Sequence, residues 1–547
     1  MIKKIFLYWH TLRYLRLSQF YERLKFNLLH PKPNSSPPPA LRSNSGIWVT
    51  PIRPSPSLIG PEEFSFLGLQ GSLRVFGWNG QSREKLWRYN QHYFNDLNAS
   101  AASERHEWHL ALLKNWVEQN PPALGVGWES YPISLRIVNW IKWFLAGSTL
   151  STPCIQSLAI QARFLSKRLE WHLLGNHLLA NAKALVFVGL FFQGDEAADW
   201  LKTGLHIIES ELAEQILQDG GHFERSPMYH AIVLEDLLDL INVSQLWPGS
   251  IDSSVILGWR TVARRMFFWL GAMTHPDGQI SFFNDAAFDI APSLENLSEY
   301  AQSLGIKLDS NLAGPGLTAY KLDQSGYIQL TSRDVVAFLD VAPVGPDYLP
   351  GHAHADSLSF ELSLFGQRII VNGGTSQYGV TPQRLRERQT KAHSTVEVDQ
   401  MSSSEVWSSF RVARRAKPFG LQIKLTEDEI YVGCSHDGYV RLKGKPIHRR
   451  EWNMTTNNLT ISDHVSGGGK ESIARFILHP SVSIDRLNEN EWCIYMPLGQ
   501  KVLFKVLCGN GFVESASYAP EFGTVVQTQC LGIKLGLGGS QAKLQWN

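Results

Sequence analysis

A chain of 547 residues is longer than one ordinary core needs, so two or three domains are expected. Hydrophobic residues make up 44% and charged residues 18%, which excludes a disordered or low-complexity chain. With 51 basic against 50 acidic side chains the net charge is +1, so no global field draws in nucleic acid and no such partner is expected.

The opening stretch, MIKKIFLYWHTLRYLRLSQFYERLKFNLLH, sets Ile5, Tyr8, Leu12 and Leu15 near helical spacing and predicts an amphipathic helix. The apolar run before His10 is too short for a secretory signal, so a cytoplasmic location is expected over a periplasmic one. Basic residues along it leave open a peripheral contact with an anionic membrane. HPKPNSSPPPALRSNSG (30–46) cannot continue a helix and reads as a linker, which makes 1–46 a first unit. Strand-like pieces follow in 47–85. From about 86 to 305 the i, i+3, i+4 pattern recurs in series, as in PISLRIVNWIKWFLAG and IVLEDLLDLINVSQLW. So many amphipathic helices joined by short turns predict an α/α toroid over 47–309.

Beyond about 310 the period falls to two in GYIQLTSRDVVAFLDVA, LSFELSLFGQRIIVNGG and ARFILHPSVSI. This predicts an antiparallel β-sandwich over 310–547. No stretch of about 18 uncharged apolar residues occurs, so no transmembrane segment is expected. The five cysteines are scattered without a CxxC pair and read as reduced thiols.

Three stretches carry residue types suited to chemistry. In GNHLLANAKALVF, Asn176 and His177 are adjacent on a helix and Asn181 shares the face of His177; the same groups would also serve as polar braces inside a bundle. In DGGHFERSPMYH, Ser226 and Pro227 read as N-cap and N1, with Tyr229 and His230 in the first turn. Partial positive charge there favours a tyrosinate or a bound carboxylate. In GHAHADSLSFEL, His352, His354 and Asp356 have the parity of Leu358, Phe360, Leu362 and Leu364, while Ser357, Ser359, Glu361 and Ser363 take the other strand face. The three polar residues are expected at one edge of a core, facing another domain. Histidines in His-x-His spacing, with His393, could ligate zinc or be satisfied by backbone carbonyls.

Taken in order, WRYNQHYF, WESYPISLRIVNW, GNHLLANAKALVF, DGGHFERSPMYH, GHAHADSLSFEL and AHSTVEVD resemble the bacterial heparinase II/III-like polysaccharide lyases, which include alginate lyases of the same architecture. The resemblance implies an incomplete α/α toroid followed by an antiparallel β-sandwich. It implies β-elimination on a uronic-acid-containing acidic polysaccharide, in which the C5 proton is removed and the C4 oxygen expelled. Asn176 would hold the substrate carboxylate, assisted by His177 and His352, and Tyr229 would be the base or the acid. His354, Asn372 and His393 would form a structural zinc site. Zinc-binding members carry aspartate where this chain has Asn372, a neutral and weaker ligand, and Asp356 is the possible substitute. Arg136, Arg225, Arg384 and Arg388 are candidates to meet carboxylates or sulfates. Three other readings stand beside this one: a uronyl C5-epimerase, an α/α-toroid glycoside hydrolase using Glu224 with Asp285 or Asp356, and a non-catalytic carbohydrate-binding protein.

Overall fold

The computed structural model describes residues 2–308 and 316–546, so the expected domain boundary at 309/310 lies outside the described residues. Helices Ile2–Leu12 and Leu17–Leu28 open the chain, and a small three-stranded sheet (Leu58–Gly60, Glu63–Phe66, Leu69–Ser72) follows an extended segment. The linker is pinned rather than free. Arg163 donates to the carbonyls of Ser36 (2.6 Å) and Pro37 (2.9 Å), and Leu41 bridges to Phe192.

The helical layer runs from Lys85–Tyr93 to Leu294–Ser303. At its centre lies Gly175–Phe191, which is apolar on nearly every face and almost wholly buried. A helix with that pattern needs neighbours all round. It finds them in Ser130–Leu145, Asp195–Gln215 and Pro227–Leu246. Trp116, Trp140, Leu185, Leu234 and Ile241 are among the residues that fill the space between.

The β region forms two large antiparallel sheets. One has nine strands, beginning as a meander of Thr318–Leu322, Tyr327–Ser332, Val335–Asp340, Phe360–Leu364 and Gln367–Val371. Leu339 stands opposite Phe360, and Val335 opposite Leu364. The other has eight strands, among them Ile447–Met454 and Asn458–Ser466. Alternate residues of Ile447–Met454, including Trp452 and Met454, point inward onto Phe360, Leu362 and Phe476. Shared apolar burial between facing sheets makes this a sandwich.

The second face of Phe360–Leu364 is buried too, because it packs on the helical layer. His275 lies 2.8 Å from the Glu361 carboxylate and 2.7 Å from the Ser363 hydroxyl, so the polar face of the strand is an interdomain joint.

Candidate active site

Between the two domains lies a cavity of about 1650 Å³, lined by Asn176, His177, Glu224, Tyr229, His352 and Tyr378 among others. Its position follows from local backbone. Leu174 (φ +62°) and Gly175 (φ +58°) both turn left-handed, which starts the helix carrying Asn176 and His177 at the cavity wall. The positive φ favours glycine at 175, and the Leu349 side chain of the β-domain loop lies close, 2.6 Å from where a Cβ would stand.

His177 is set by the helical domain alone. Its Nδ1 lies 3.2 Å from the Glu170 carboxylate, and its ring lies 4.4 Å from that of Tyr131. Asn181 fixes Glu170 in turn, donating to its carboxylate (3.1 Å) and accepting its backbone N–H (2.9 Å). Burial opposes a charge on His177, but the Glu170 carboxylate outweighs it and holds the imidazole above its ordinary pKa.

Tyr229 enters from the helix Pro227–Leu246. Ser226 is its N-cap and accepts the Tyr229 N–H (3.2 Å), with Pro227 in the first turn as the sequence predicts. The expectation that the helix N-terminus favours a tyrosinate is overturned. Burial, with Tyr378 and the Asp285 carboxylate nearby, pushes the phenol well above its ordinary value, so Tyr229 rests as a neutral donor. Its hydroxyl lies 3.0 Å from that of Tyr378, and its ring 4.0 Å from the ring of His352.

His352 comes from the β domain, in the loop before Phe360–Leu364. Its Nδ1 donates to the Asp285 carboxylate (2.8 Å), leaving Nε2 facing Glu224 at 3.8 Å. Asp285 is fully buried and is the hub of the site. It accepts from both terminal guanidinium nitrogens of Arg384, one at 2.7 Å, and from His354 Nε2 at 2.8 Å. Burial alone would protonate it, but Arg384 and the two imidazoles hold it well below the ordinary carboxylate range. Committed to this network, Asp285 is not a free acid or base. Asp356 is buried as well and accepts the backbone N–H of Asn284 at 3.2 Å. Asp285 is therefore not available as the second carboxylate of a hydrolase beside Glu224.

Three arginines proposed for substrate lie in the interior instead. Arg136 is fully buried and donates to Gln161 and to the carbonyls of His92 and Gly127. Arg225 holds the Ser325 and Phe223 carbonyls. Arg388 holds those of Ala353, Ser408 and Ser409. Each satisfies loop carbonyls that would otherwise be buried without donors. Arg53 and Lys85 are exposed on the cavity wall, Lys85 paired with Glu129 at 2.7 Å, while Lys142 and Lys183 in its floor are paired with Asp236 and Asp239.

The proposed metal ligands meet only in part. His354 Nδ1 and His393 Nε2 lie 3.0 Å apart. His354 gives its other N–H to Asp285, and His393 gives its own to the Gln389 carbonyl at 2.9 Å. Two lone pairs therefore face each other unless a proton or a cation lies between them. Burial lowers the pKa of both rings, His354 to about 4, which disfavours the proton. That donor pair fits a divalent cation. Asn372 is tied elsewhere: its amide donates to Phe282 O (3.0 Å) and Ser359 Oγ (3.3 Å), and its oxygen accepts Ser394 N–H. Among the described residues, no three His, Cys, Asp or Glu side chains gather as a ligand set.

Glu170, Tyr131, Tyr378 and Arg384 complete the site. Only Arg384 stands out in the sequence, as a candidate for substrate; the network role of Asp285 has no spacing signal either.

Residues 81–305 match the model of the heparinase II/III N-terminus, and 315–534 that of the heparinase II/III-like C-terminal region. A heparin-sulfate lyase of Bacteroides stercoris is 26% identical over 278 residues, covering 48% of this chain and 41% of the relative. That of Pedobacter heparinus is 25% identical over 328 residues, covering 54% and 48%. The chain thus spans less than half the length of these curated relatives. A crystal structure of heparinase III superposes with a TM-score of 0.65 at 18% identity, over 83% of this chain and 76% of that one. A heparan sulfate lyase from Pedobacter heparinus gives 0.58 at 17% identity, over 96% and 87%. These likenesses share the helical layer followed by the antiparallel sandwich, an α/α toroid plus β-sandwich architecture. With both halves matched in order, the chain belongs to the heparinase II/III-like family.

Proposed function

We propose that this chain is a polysaccharide lyase that cleaves a uronic-acid-containing acidic polysaccharide by β-elimination. The observation that carries the reading is the meeting of Tyr229, from the helical domain, with His352, from the sandwich, at a ring distance of 4.0 Å in a cavity that also holds Asn176 and His177. The heparin-sulfate lyase names of the relatives support a glycosaminoglycan-type substrate.

The C5 proton of a uronate is weakly acidic while the carboxylate stays negative, so that group must be neutralised. His177, raised in pKa by Glu170, supplies positive charge, and the Asn176 amide supplies a hydrogen bond. Asp285 takes Nδ1–H of His352, so Nε2 is the nitrogen that accepts the C5 proton. Tyr229 is neutral and gives its hydroxyl proton to the departing O4, and the 3.0 Å contact with Tyr378 orients that hydroxyl. The electrons of the broken C5–H bond form the C4–C5 alkene as the C4–O bond breaks.

A divalent cation such as zinc would be held by His354 Nδ1 and His393 Nε2, while Asn372 stays bound to Ser394, Phe282 and Ser359. It would supply structural charge that ties the His352 loop to the segment before His393. No step of the elimination passes through it.

Incubation with a panel of uronic-acid polymers, followed by ultraviolet absorbance, tests the reading. A new conjugated alkene is the expected result. Reducing ends without the alkene would mean hydrolysis, and inverted uronate stereochemistry without cleavage would mean epimerisation.

A further inference from the structure

The two opening helices are amphipathic in the wrong sense for a helix packed on a protein. At about 100° per residue, Leu17, Tyr21, Leu24 and Leu28 fall within about 60° of one another on one stripe. Gln19 and Phe26 lie on the opposite side, and they are what the body of the protein holds. Gln19 donates to the Tyr348 carbonyl at 3.3 Å, while Phe26 packs 4.2 Å from His172 and beneath the Arg168 guanidinium. Arg16 adds an ion pair to Glu214. The apolar stripe therefore faces outward, with Leu17 86% and Leu28 69% exposed. On the preceding helix, Thr11 accepts a hydrogen bond from Trp407 at 3.1 Å, while Trp9 is 65% and Ile5 61% exposed. Contiguous exposed apolar surface of this kind marks a contact site.

Charge selects the occupant. The first 32 residues hold seven Lys or Arg and one acidic residue, a surplus of six positive charges in a chain whose total is +1. Arg23 and Lys25 are exposed; Lys25 lies about 40° beyond one edge of the Leu17–Leu28 stripe and Arg23 about 100° beyond the other. An apolar stripe bordered by cations suits an anionic lipid interface, where the stripe enters the acyl boundary and the cations meet headgroups. A second copy would bring two like-charged arms together, and an acidic polymer would leave Leu17, Leu24 and Leu28 unmatched, with Tyr21 the one donor on the stripe.

We propose that the Ile2–Leu12 and Leu17–Leu28 arm docks this protein on an anionic membrane surface. Phe26, His30 and Pro31 also line the active-site cavity, so the arm that docks borders that cavity on its other face. The proposal stands independently of the reaction performed there.

Co-sedimentation of the full chain with vesicles of equimolar phosphatidylcholine and phosphatidylglycerol, against phosphatidylcholine alone, tests it. Binding at least about tenfold stronger to the anionic vesicles is expected, weakening as salt rises to about 0.5 M. Combined Leu17→Ser, Leu24→Ser and Leu28→Ser should lower that binding at least about tenfold with an unchanged melting temperature, since these side chains are exposed. Arg23→Glu with Lys25→Glu should also lower it. Failure to sediment with anionic vesicles, or equal binding to both kinds, overturns the proposal. So does a dimer in sedimentation velocity that the triple serine variant disperses, which would give the stripe to a second copy.

Discussion

Tyr229→Phe removes one oxygen and its proton and keeps the ring that lies 4.0 Å from His352. The lost contact is the 3.0 Å hydrogen bond to Tyr378, worth about 1 kcal/mol net. In a chain of this length that lowers the melting temperature by about 1 °C. The kinetic effect is of another size. If this hydroxyl delivers the proton to O4, its loss should lower kcat by a factor of about 10²–10⁴, or about 2.7–5.4 kcal/mol, with little change in KM. Initial rates of alkene absorbance over a range of substrate concentrations separate the two constants. Tyr378→Phe is the control, because it deletes the same hydrogen bond but keeps the Tyr229 hydroxyl; it should cost less than about tenfold. A Tyr229→Phe enzyme with kcat within about threefold of the parent, or one that loses activity only through KM, would refute the role of the hydroxyl.

Glu170→Gln removes the carboxylate that holds the His177 pKa above 6.5. The charged form of His177, and the stability its pairing contributes, are full below the ordinary value and are lost as pH rises through the raised one. The variant should lose substrate affinity at lower pH than the parent, read as KM against pH; superimposable profiles would remove Glu170 from the argument. Asp285→Asn leaves the buried Arg384 without its carboxylate and should destabilise the fold by about 3–5 kcal/mol in denaturant unfolding. A loss under about 1 kcal/mol would mean that the network relaxes around it. Chelator treatment should lower the melting temperature, and added zinc should restore it in the parent but not in His393→Ala. An unchanged melting curve with chelator would leave His354 and His393 sharing a proton.

Much of the architecture is a local property of the chain. Apolar spacing separates the helical layer from the strands, and Ser226–Pro227 caps its helix as local chemistry dictates. The ordered motifs bring Asn176, His177, Tyr229 and His352 to one cavity because each motif also carries the backbone that aims it, as Leu174 and Gly175 do for His177. What surrounds those residues is another matter. Asp285 meets His352 across 67 positions and Arg384 across 99, and no spacing along the chain encodes such a meeting. Arg136, Arg225 and Arg388 have the side chain a sulfate or carboxylate needs. Folding spends all three on buried carbonyls, because an unpaired buried acceptor costs more than a surface cation gains. Tyr229 sits where a helix N-terminus would lower its pKa, yet the sandwich closes over it and burial reverses the sign. Residue types and periods set which chemistry is available; neighbours remote in sequence set each group's charge state and partners, since desolvation and hydrogen bonding depend on distance in space.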